Sequence, residues 1–187
     1  RRQRQMCIRD STDNGYSVWA SNVIYNETMK KYVMYFCTTS SYVKSTLCFA
    51  TADNIEGPYT YVDTILYSGY GKSNISETNL YDVLGKNADI SRYLEYGGYN
   101  NKEWPNCIDP AIFTDADGRM WMNYGSWSGG IFLLEIDPTT GYPIYPVDDK
   151  DADPYYGYRL IGGGHHSAEG PYIQLSLIHI SEPTRLR

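Results

Sequence analysis

Two acidic residues in this sequence have the type and setting that acid–base chemistry needs. Asp109 stands directly before a proline, and Glu169 stands before a Gly-Pro pair. Each proline fixes its own backbone and removes a donor just beyond the carboxylate, which holds the acidic side chain in place. Carboxylates in a narrow, partly dry cleft have easily shifted pKa values and are suited to proton transfer. The same two residues also fit a structural role, in which each caps a turn or pairs with a lysine.

The segments that must position these carboxylates have the pattern of short antiparallel strands. The aromatic residues are 20 tyrosines, four tryptophans and four phenylalanines, a composition that favours sheets over a leucine-rich helical bundle. Apolar and alternating runs separated by turn residues predict a first group of strands at 19–25, 32–37, 47–52 and 59–67. A second group is predicted at 108–113, 120–124 and 130–137, with a hairpin turn at 115–118. The sequence therefore predicts an all-β protein.

The two groups of strands repeat at an offset of 89 residues. The aligned pairs are Ala20 with Asp109, Val23 with Ile112, Ile24 with Phe113, Lys30 with Arg119, and Tyr35 with Tyr124. The first strand of a third unit is predicted at 169–173, where Glu169 takes the place of Ala20 and Asp109. Four-stranded units with repeated starts are typical of β-propeller blades, whose first strands line the central axis.

A long insertion, residues 68–106, separates the two groups. It is rich in glycine, asparagine and tyrosine and contains two short helical patterns, 76–84 and 89–96. Loops of this length are usually functional or disordered, and we expect this one to cover one face of the propeller. A blade takes about 40 to 50 residues, so residues 12–174 hold two blades and the start of another. Closed propellers carry about 4 to 8 blades, and the sequence therefore predicts an incomplete propeller.

Both ends of the chain resemble translated sequencing-adapter DNA and are excluded from the fold prediction. These ends are residues 1–11 and 175–187. Together they hold six of the 16 basic residues, namely Arg1, Arg2, Arg4, Arg9, Arg185 and Arg187. Segment 12–174 is therefore more acidic than the net charge of -6 of the whole chain indicates.

The charge distribution and hydropathy exclude two classes of partner. No basic cluster is present that would bind a nucleic-acid backbone. No run approaches the roughly 18 to 20 apolar residues that a membrane-spanning helix requires. We expect neither a nucleic acid nor a membrane as a partner.

No metal site is predicted from the candidate ligands. Cys37, Cys48 and Cys107 lack Cys-x-x-Cys spacing, although a bridge between Cys37 and Cys48 across a hairpin is an alternative. Adjacent His165 and His166 would point in opposite directions on a strand. The acidic run at 148–153 lacks the glycine and glutamate spacing of a calcium loop and fits a solvated loop better.

Four motifs in order resemble glycoside hydrolase family 43, and most closely its arabinan endo-1,5-α-L-arabinosidases. They are Trp19-Ala-Ser-Asn-Val, Cys107-Ile-Asp-Pro-Ala-Ile-Phe, Tyr124-Gly-Ser-Trp-Ser-Gly-Gly-Ile-Phe-Leu-Leu-Glu-Ile-Asp and Ala168-Glu-Gly-Pro-Tyr-Ile. The resemblance implies part of a five-bladed propeller from an inverting glycosidase. Its substrate would be arabinan or an arabino-oligosaccharide, and its parent protein would be secreted or periplasmic. No cofactor is required, while a structural calcium ion in the full-length parent is compatible with the resemblance.

The resemblance also assigns roles to the two carboxylates. Glu169 is similar to the general acid, which protonates the leaving glycosidic oxygen. Asp109 is similar to a third carboxylate, whose charge favours the protonated form of the acid and helps to orient it. The family's general base belongs to an upstream Asp-Pro motif that this chain lacks, because Asp10 lies in the adapter-like end and Asp13 is a turn residue. We expect the chain itself to be inactive for lack of this base.

Three further residues are candidate substrate contacts. Trp19 and Trp127 would stack on arabinose rings, since a sugar presents an apolar face to an indole, and Ser126 would also contact substrate. Ordinary packing is the alternative for both tryptophans. The family usually has proline after Trp-Ala, where this chain has Ser21.

Two other functions fit the same motifs. One is an exo-acting arabinofuranosidase or β-xylosidase on the same scaffold, because the loop that shapes the groove has no structure readable from sequence. The other is a non-catalytic propeller that binds carbohydrate.

Overall fold

Residues 17–174 are described by a computed structural model, and their longest strands form two antiparallel sheets. The first sheet has strand order β1-β2-β3-β4, with β1 at Ser17–Asn26, β2 at Lys31–Ser41, β3 at Lys44–Ala52 and β4 at Thr60–Tyr67. The four consecutive antiparallel strands expected from the sequence are confirmed. The adapter-like ends with Asp10, and also Asp13, lie outside the described residues.

The insertion 68–106 is mostly irregular. It contains the short helix α1 at Leu80–Leu84, 3-10 turns at Ile75–Glu77 and Ser91–Tyr93, and a hairpin of β5 at Leu94–Glu95 with β6 at Gly98–Tyr99. The helical pattern 76–84 is confirmed only in its second half. The pattern 89–96 is wrong beyond one 3-10 turn, because the carbonyls of Arg92 and Tyr93 accept hydrogen bonds from the Trp104 indole and the Asn100 N–H instead of continuing a helix.

The second sheet consists of three long strands and an outer edge in two pieces. Its strands are β7 at Ala111–Thr114, β8 at Met120–Tyr124, β9 at Ile131–Ile136, β10 at Pro143–Ile144 and β11 at Tyr158–Ile161. Strand β9 pairs with β10 near its end and with β11 near its start. The sheet is therefore four strands wide, with the loop 145–157 interrupting its outer strand.

The starts of the two sheets have the same unusual backbone. Ala20 and Asp109, which the sequence aligns, both have left-handed conformations, with φ of 45° and 55°. Side chains make this region unfavourable for residues other than glycine. The shared conformation confirms that the two units start in the same way.

Further along, the repeat shifts by one residue. Asn22 pairs with Tyr35 in the first sheet, and the aligned residue Ala111 pairs with Asn123 in the second. Asn123, not Tyr124, therefore occupies the place of Tyr35. The predicted match of Tyr35 with Tyr124 is wrong, because the turn 116–118 between the paired residues Asp115 and Arg119 is one residue shorter than its counterpart 27–30 between Asn26 and Lys31.

The predicted first strand of a third unit does not form. Residues 169–173 are irregular, and no strand within 17–174 pairs with them. An extended segment becomes a strand only through hydrogen bonds to a neighbour. The left-handed residue here is Gly170, with φ of 54°, one position later than the sequence alignment placed it.

The two sheets meet along a seam, defined here by the contacts of the β1 and β2 side chains with the second unit. The Tyr35 hydroxyl donates to the Gly141 carbonyl at 2.9 Å, and the Asn22 side-chain oxygen accepts from the Ile112 N–H at 3.1 Å. The Asn26 amide donates to the Pro138 carbonyl at 3.0 Å. These bonds connect side chains of the first unit directly to the backbone of the second.

The insertion packs on the loop 145–157, with Asp153 at the centre of the contact. The buried Asp153 carboxylate accepts hydrogen bonds from the Tyr93 hydroxyl and from the N–H groups of Tyr155 and Tyr156, and it pairs with Arg92 at 3.3 Å. Burial raises the pKa of Asp153, while these N–H donors and Arg92 oppose that rise. Every side of the carboxylate thus has a partner, which is the condition for burying a charge.

No helix within 17–174 is long and apolar enough to span a membrane.

Removing the Tyr35 hydroxyl should weaken the seam. The substitution Tyr35→Phe leaves the buried Gly141 carbonyl without its donor, so we expect the free energy of unfolding to fall by about 1 to 2 kcal/mol. Urea denaturation measures this change. Tyr25→Phe is the matched control, because Tyr25 is 44% exposed on β1 and its substitution should have little effect. Equal losses in the two variants would contradict a seam bond at Tyr35.

Candidate active site

Asp109 lies two residues before β7 and close to Glu169, which is 60 positions later in the chain. Burial of the Asp109 carboxyl raises its pKa, and the charge of Glu169 raises it further. The Gly170 N–H donates to Asp109 Oδ2 at 3.4 Å and acts in the opposite direction. The structure therefore brings the two predicted carboxylates together, and part of the perturbation of Asp109 comes from the second one.

Trp127 contacts the segment that carries Glu169 through both its side chain and its backbone. Its indole N–H donates to the exposed Glu169 carboxylate. Its backbone N–H donates to the Ala168 carbonyl at 2.7 Å. Trp127 itself is 45% exposed. The indole thus orients the acidic side chain while much of its ring surface remains open to solvent.

The loop that carries Trp127 is held in an unusual conformation by its neighbours. Trp127 and Ser128 have φ of 46° and 41°. The Gly129 N–H donates to the Trp104 carbonyl of the insertion at 3.0 Å, and the Ser128 carbonyl accepts from the His165 N–H at 3.0 Å. A side chain at Gly129 would collide with the backbone of the insertion. The insertion therefore buttresses the loop beside the carboxylates.

The other two predicted substrate contacts lie nearby in different settings. Trp19 is 43% exposed on β1, and its indole N–H donates to Thr39 Oγ1 at 3.1 Å. Ser126 is adjacent to Trp127 but buried. The contacts of Trp19, Ser126 and Trp127 with a sugar stay predictions.

Cys37 is a residue of the site that sequence reasoning missed. Its thiol donates to the Trp19 carbonyl at 3.3 Å, and burial raises the pKa of this thiol to about 11, with a further effect of Asp109. The bridge considered between Cys37 and Cys48 does not form: their cross-strand partners are Leu47 and Phe36, so the two thiols lie on opposite faces of the sheet. No sequence signal marks Cys37, because its contacts depend on the strand register.

The candidate metal ligands do not converge within the described residues. No group of three or more histidine, cysteine, aspartate or glutamate side chains in 17–174 is arranged to hold a metal ion. The acidic residues of the run 148–153 lie in two different settings. Asp149 accepts a hydrogen bond from the Tyr158 hydroxyl at the surface, whereas Asp153 points into the interior. His165 contacts the Trp127 loop through its backbone.

Similar proteins were found by sequence. No protein-family model matches the chain. An "Extracellular endo-alpha-(1->5)-L-arabinanase" of Thermotoga petrophila is 38% identical over 159 residues, which are 85% of this chain and 29% of that protein. An "Extracellular endo-alpha-(1->5)-L-arabinanase 2" of Bacillus subtilis is 36% identical over 157 residues, which are 84% of this chain and 28% of that protein. The chain thus spans less than a third of these relatives.

Solved structures agree with the sequence comparison. The endo-1,5-α-L-arabinanase of T. petrophila superimposes with a TM-score of 0.63 at 38% identity, covering 86% of this chain and 31% of that one. A glycoside hydrolase of family 43 from Bacillus licheniformis, the YxiA protein, gives a TM-score of 0.60 at 36% identity, covering 80% of this chain and 28% of that one. The resemblance to glycoside hydrolase family 43 is confirmed. The all-β architecture of the chain is consistent with these family 43 neighbours.

The electrostatic coupling between the two carboxylates is measurable. In a Glu169→Gln variant we expect the pKa of Asp109 to fall, because one of the charges that opposes its ionisation is removed. Carbon-13 NMR of the Asp109 carboxyl during a pH titration measures the shift. Glu27→Gln is the control, since Glu27 lies exposed in the first hairpin. An Asp109 titration that is the same in all three proteins would show that Glu169 does not act on it.

Proposed function

We propose that this chain is part of an inverting family 43 glycosidase that cleaves α-1,5-L-arabinan, with Glu169 as the general acid and Asp109 as its modulator. The observation that carries the proposal is the approach of Asp109 to Glu169, on a fold similar to endo-arabinanases. Glu169 gives its proton to the glycosidic oxygen as the bond to the anomeric carbon breaks. Asp109 remains beside the acid and does not react with the sugar.

The settings of the two carboxylates support this division of roles. The Asp109 carboxyl is half-buried, while the Glu169 carboxylate is exposed where a substrate oxygen can reach it. Burial and the neighbouring charge of Glu169 raise the pKa of Asp109, so the two carboxylates act on each other. The Trp127 indole orients the Glu169 side chain. These contacts suit a proton donor held in a fixed direction.

Two indoles are available to bind the substrate. Trp127 and Trp19 are 45% and 43% exposed, and an arabinofuranose ring presents an apolar face that packs on such surfaces. Ser126, although buried, lies next to Trp127 and completes the proposed contact set. We propose arabinan or arabino-oligosaccharides as the ligands because the relatives are named as arabinanases.

The two four-stranded sheets are proposed to be two blades of a five-bladed propeller. They share a left-handed start, they are four strands wide, and they pack against each other along the seam. Segment 12–174 would then be the propeller portion of the chain, with 1–11 and 175–187 not native to it. The remaining blades and the general base would belong to the longer parent protein.

The parent is proposed to act outside the cytoplasm without a cofactor. Both relatives are named extracellular, which supports a secreted or periplasmic location. Acid–base hydrolysis by carboxylates needs no cofactor. A structural calcium ion in the parent is compatible with this chemistry.

The acid assignment is tested in the full-length parent. Glu169→Gln removes the proton donor, so we expect kcat on linear arabinan to fall by about 10² to 10⁴ while KM changes little. Aryl arabinosides with good leaving groups should lose less, because they need less protonation. Glu56→Gln, an exposed change in the turn between β3 and β4, is the control. Equal losses on both substrates would argue for a structural Glu169.

The chain of 187 residues by itself should not hydrolyse arabinan. Inversion needs a general base that activates water on the opposite side of the sugar from the acid. The proposal gives Asp109 the role of modulator and leaves the chain without such a base. The assay is release of reducing ends from linear arabinan, with the parent enzyme as the positive control. Turnover with inversion at the anomeric carbon, followed by NMR, would show that the chain contains a base. Binding without turnover in the parent as well would favour the carbohydrate-binding alternative.

A further inference from the structure

Tyr96 stands at the tip of the β5–β6 hairpin in the insertion, with its side chain fully exposed to solvent. Glu95 pairs with Gly98, which leaves a two-residue loop, 96–97, with φ values of 51° and 84°. A two-residue loop with both φ values positive is a type I′ turn, whose first position strongly favours asparagine, aspartate or glycine. A tyrosine at this position strains the backbone and contributes nothing to the packed core.

Tyr42 shows the same combination at the tip of the β2–β3 hairpin. Ser41 pairs with Lys44, so the loop 42–43 is also two residues long. Tyr42 is 76% exposed, and its neighbour Val43 has φ of 54°. A positive φ is a genuine outlier for a β-branched residue and persists only where the surroundings hold it. The Val43 carbonyl accepts from the Ser68 hydroxyl at 2.7 Å, so the first residue of the insertion holds the turn that presents Tyr42.

Tyr42 lies at the end of the first sheet that also carries Trp19. The Trp19 indole donates to Thr39 Oγ1 at 3.1 Å, and this oxygen lies 3.0 Å from Ser45 Oγ on the neighbouring strand. Thr39 and Ser45 are cross-strand partners at the base of the β2–β3 hairpin. A continuous series of side-chain contacts therefore leads from the candidate sugar-binding indole to the hairpin with the exposed tyrosine.

The β5–β6 hairpin is connected on one side to the start of the insertion and on the other to the loop beside the carboxylates. The Lys72 N–H donates to the Gly97 carbonyl at 3.1 Å. The ion pair of Lys102 with Glu95, at 3.9 Å, joins the hairpin to the segment that buttresses the Trp127 loop. Both hairpin tips with exposed tyrosines therefore belong to the same end of the fold as the candidate active site.

We propose that Tyr42 and Tyr96 form an outer binding site for arabinan, which contacts sugar units beyond those at Trp19 and Trp127. The inference rests on the proposed function for the identity of the ligand. A tyrosine offers a furanose ring an apolar face and a hydroxyl group for hydrogen bonds. Two rings on separate hairpin tips are bridged only by a ligand of several sugar units, so the site favours polymeric arabinan over short oligosaccharides.

The test uses substitutions that remove a ring and keep its turn folded. Tyr96→Asn supplies the residue that a type I′ turn prefers, Tyr42→Ser removes the second ring, and Tyr96→Trp retains an aromatic surface. Tyr25→Ser is the control, because Tyr25 is an exposed tyrosine next to the β1–β2 turn, at the opposite end of the first sheet. The measurements on the chain of 187 residues are calorimetric binding of linear arabinan and of arabinotriose, and Tm.

We expect Tyr96→Asn to weaken the binding of linear arabinan by about three- to tenfold, as the loss of one ring contact predicts, and to leave arabinotriose unchanged. Its Tm should rise, because asparagine tolerates the left-handed conformation better than tyrosine does. Tyr42→Ser should weaken arabinan binding by a similar factor. Tyr96→Trp and Tyr25→Ser should bind both ligands as the original chain does.

Three results would overturn the proposal. They are an original chain that does not bind linear arabinan, an affinity that is unchanged in both Tyr96→Asn and Tyr42→Ser, and an equal loss in Tyr25→Ser. The first needs no variant, so the proposal stays testable even where a substitution prevents folding.

The same variants separate the outer site from the proposed function. Turnover by the parent that depends on Glu169, together with unchanged arabinan affinity in the tyrosine variants, would refute the outer site alone. Arabinan affinity that depends on Tyr42 and Tyr96, together with turnover that does not depend on Glu169, would refute the acid assignment alone.

Discussion

The seam between the two sheets is the contact on which the candidate site depends. Asn22 and Tyr35 bond to the backbone at Ile112 and Gly141. A hydrogen bond weakens steeply when its donor angle departs from linear, so each contact restrains the second sheet against the first. Asp109 lies two residues before the first strand of that second sheet. The seam therefore sets where its carboxylate stands before any substrate arrives.

The second support of the site is the tyrosine-rich core beneath the insertion. Tyr156 donates to the Tyr67 carbonyl at 2.8 Å, and Tyr124 donates to the Tyr156 carbonyl at 2.8 Å. Burial raises the pKa of both hydroxyls, which keeps them protonated as donors. A buried tyrosine combines a large apolar ring with a directional hydrogen bond, and the Tyr156 ring stacks on Trp104 of the insertion, so this core holds the insertion in position. The insertion then supports the Trp127 loop through Trp104.

The sequence predicted local features of the fold correctly and failed for features that depend on residues distant in the chain. The strand groups were predicted correctly because alternation, turn residues and hairpins are local features. The first strand of a third unit failed because a strand also needs a neighbour, and the match of Tyr35 with Tyr124 failed because a hairpin shorter by one residue shifts the register by one. The second helical pattern failed because Trp104 and Asn100 capture the carbonyls that a helix would use.

The sequence alone determined the all-β class, the family resemblance and the two carboxylates, since each is a matter of residue type, order and local spacing. Only the tertiary structure decided that Asp109 and Glu169 meet across 60 residues and that the Trp127 indole bonds to Glu169. These contacts join chain segments that are distant in sequence. Their formation depends on how one sheet packs on another, and strand patterns contain no information about that packing.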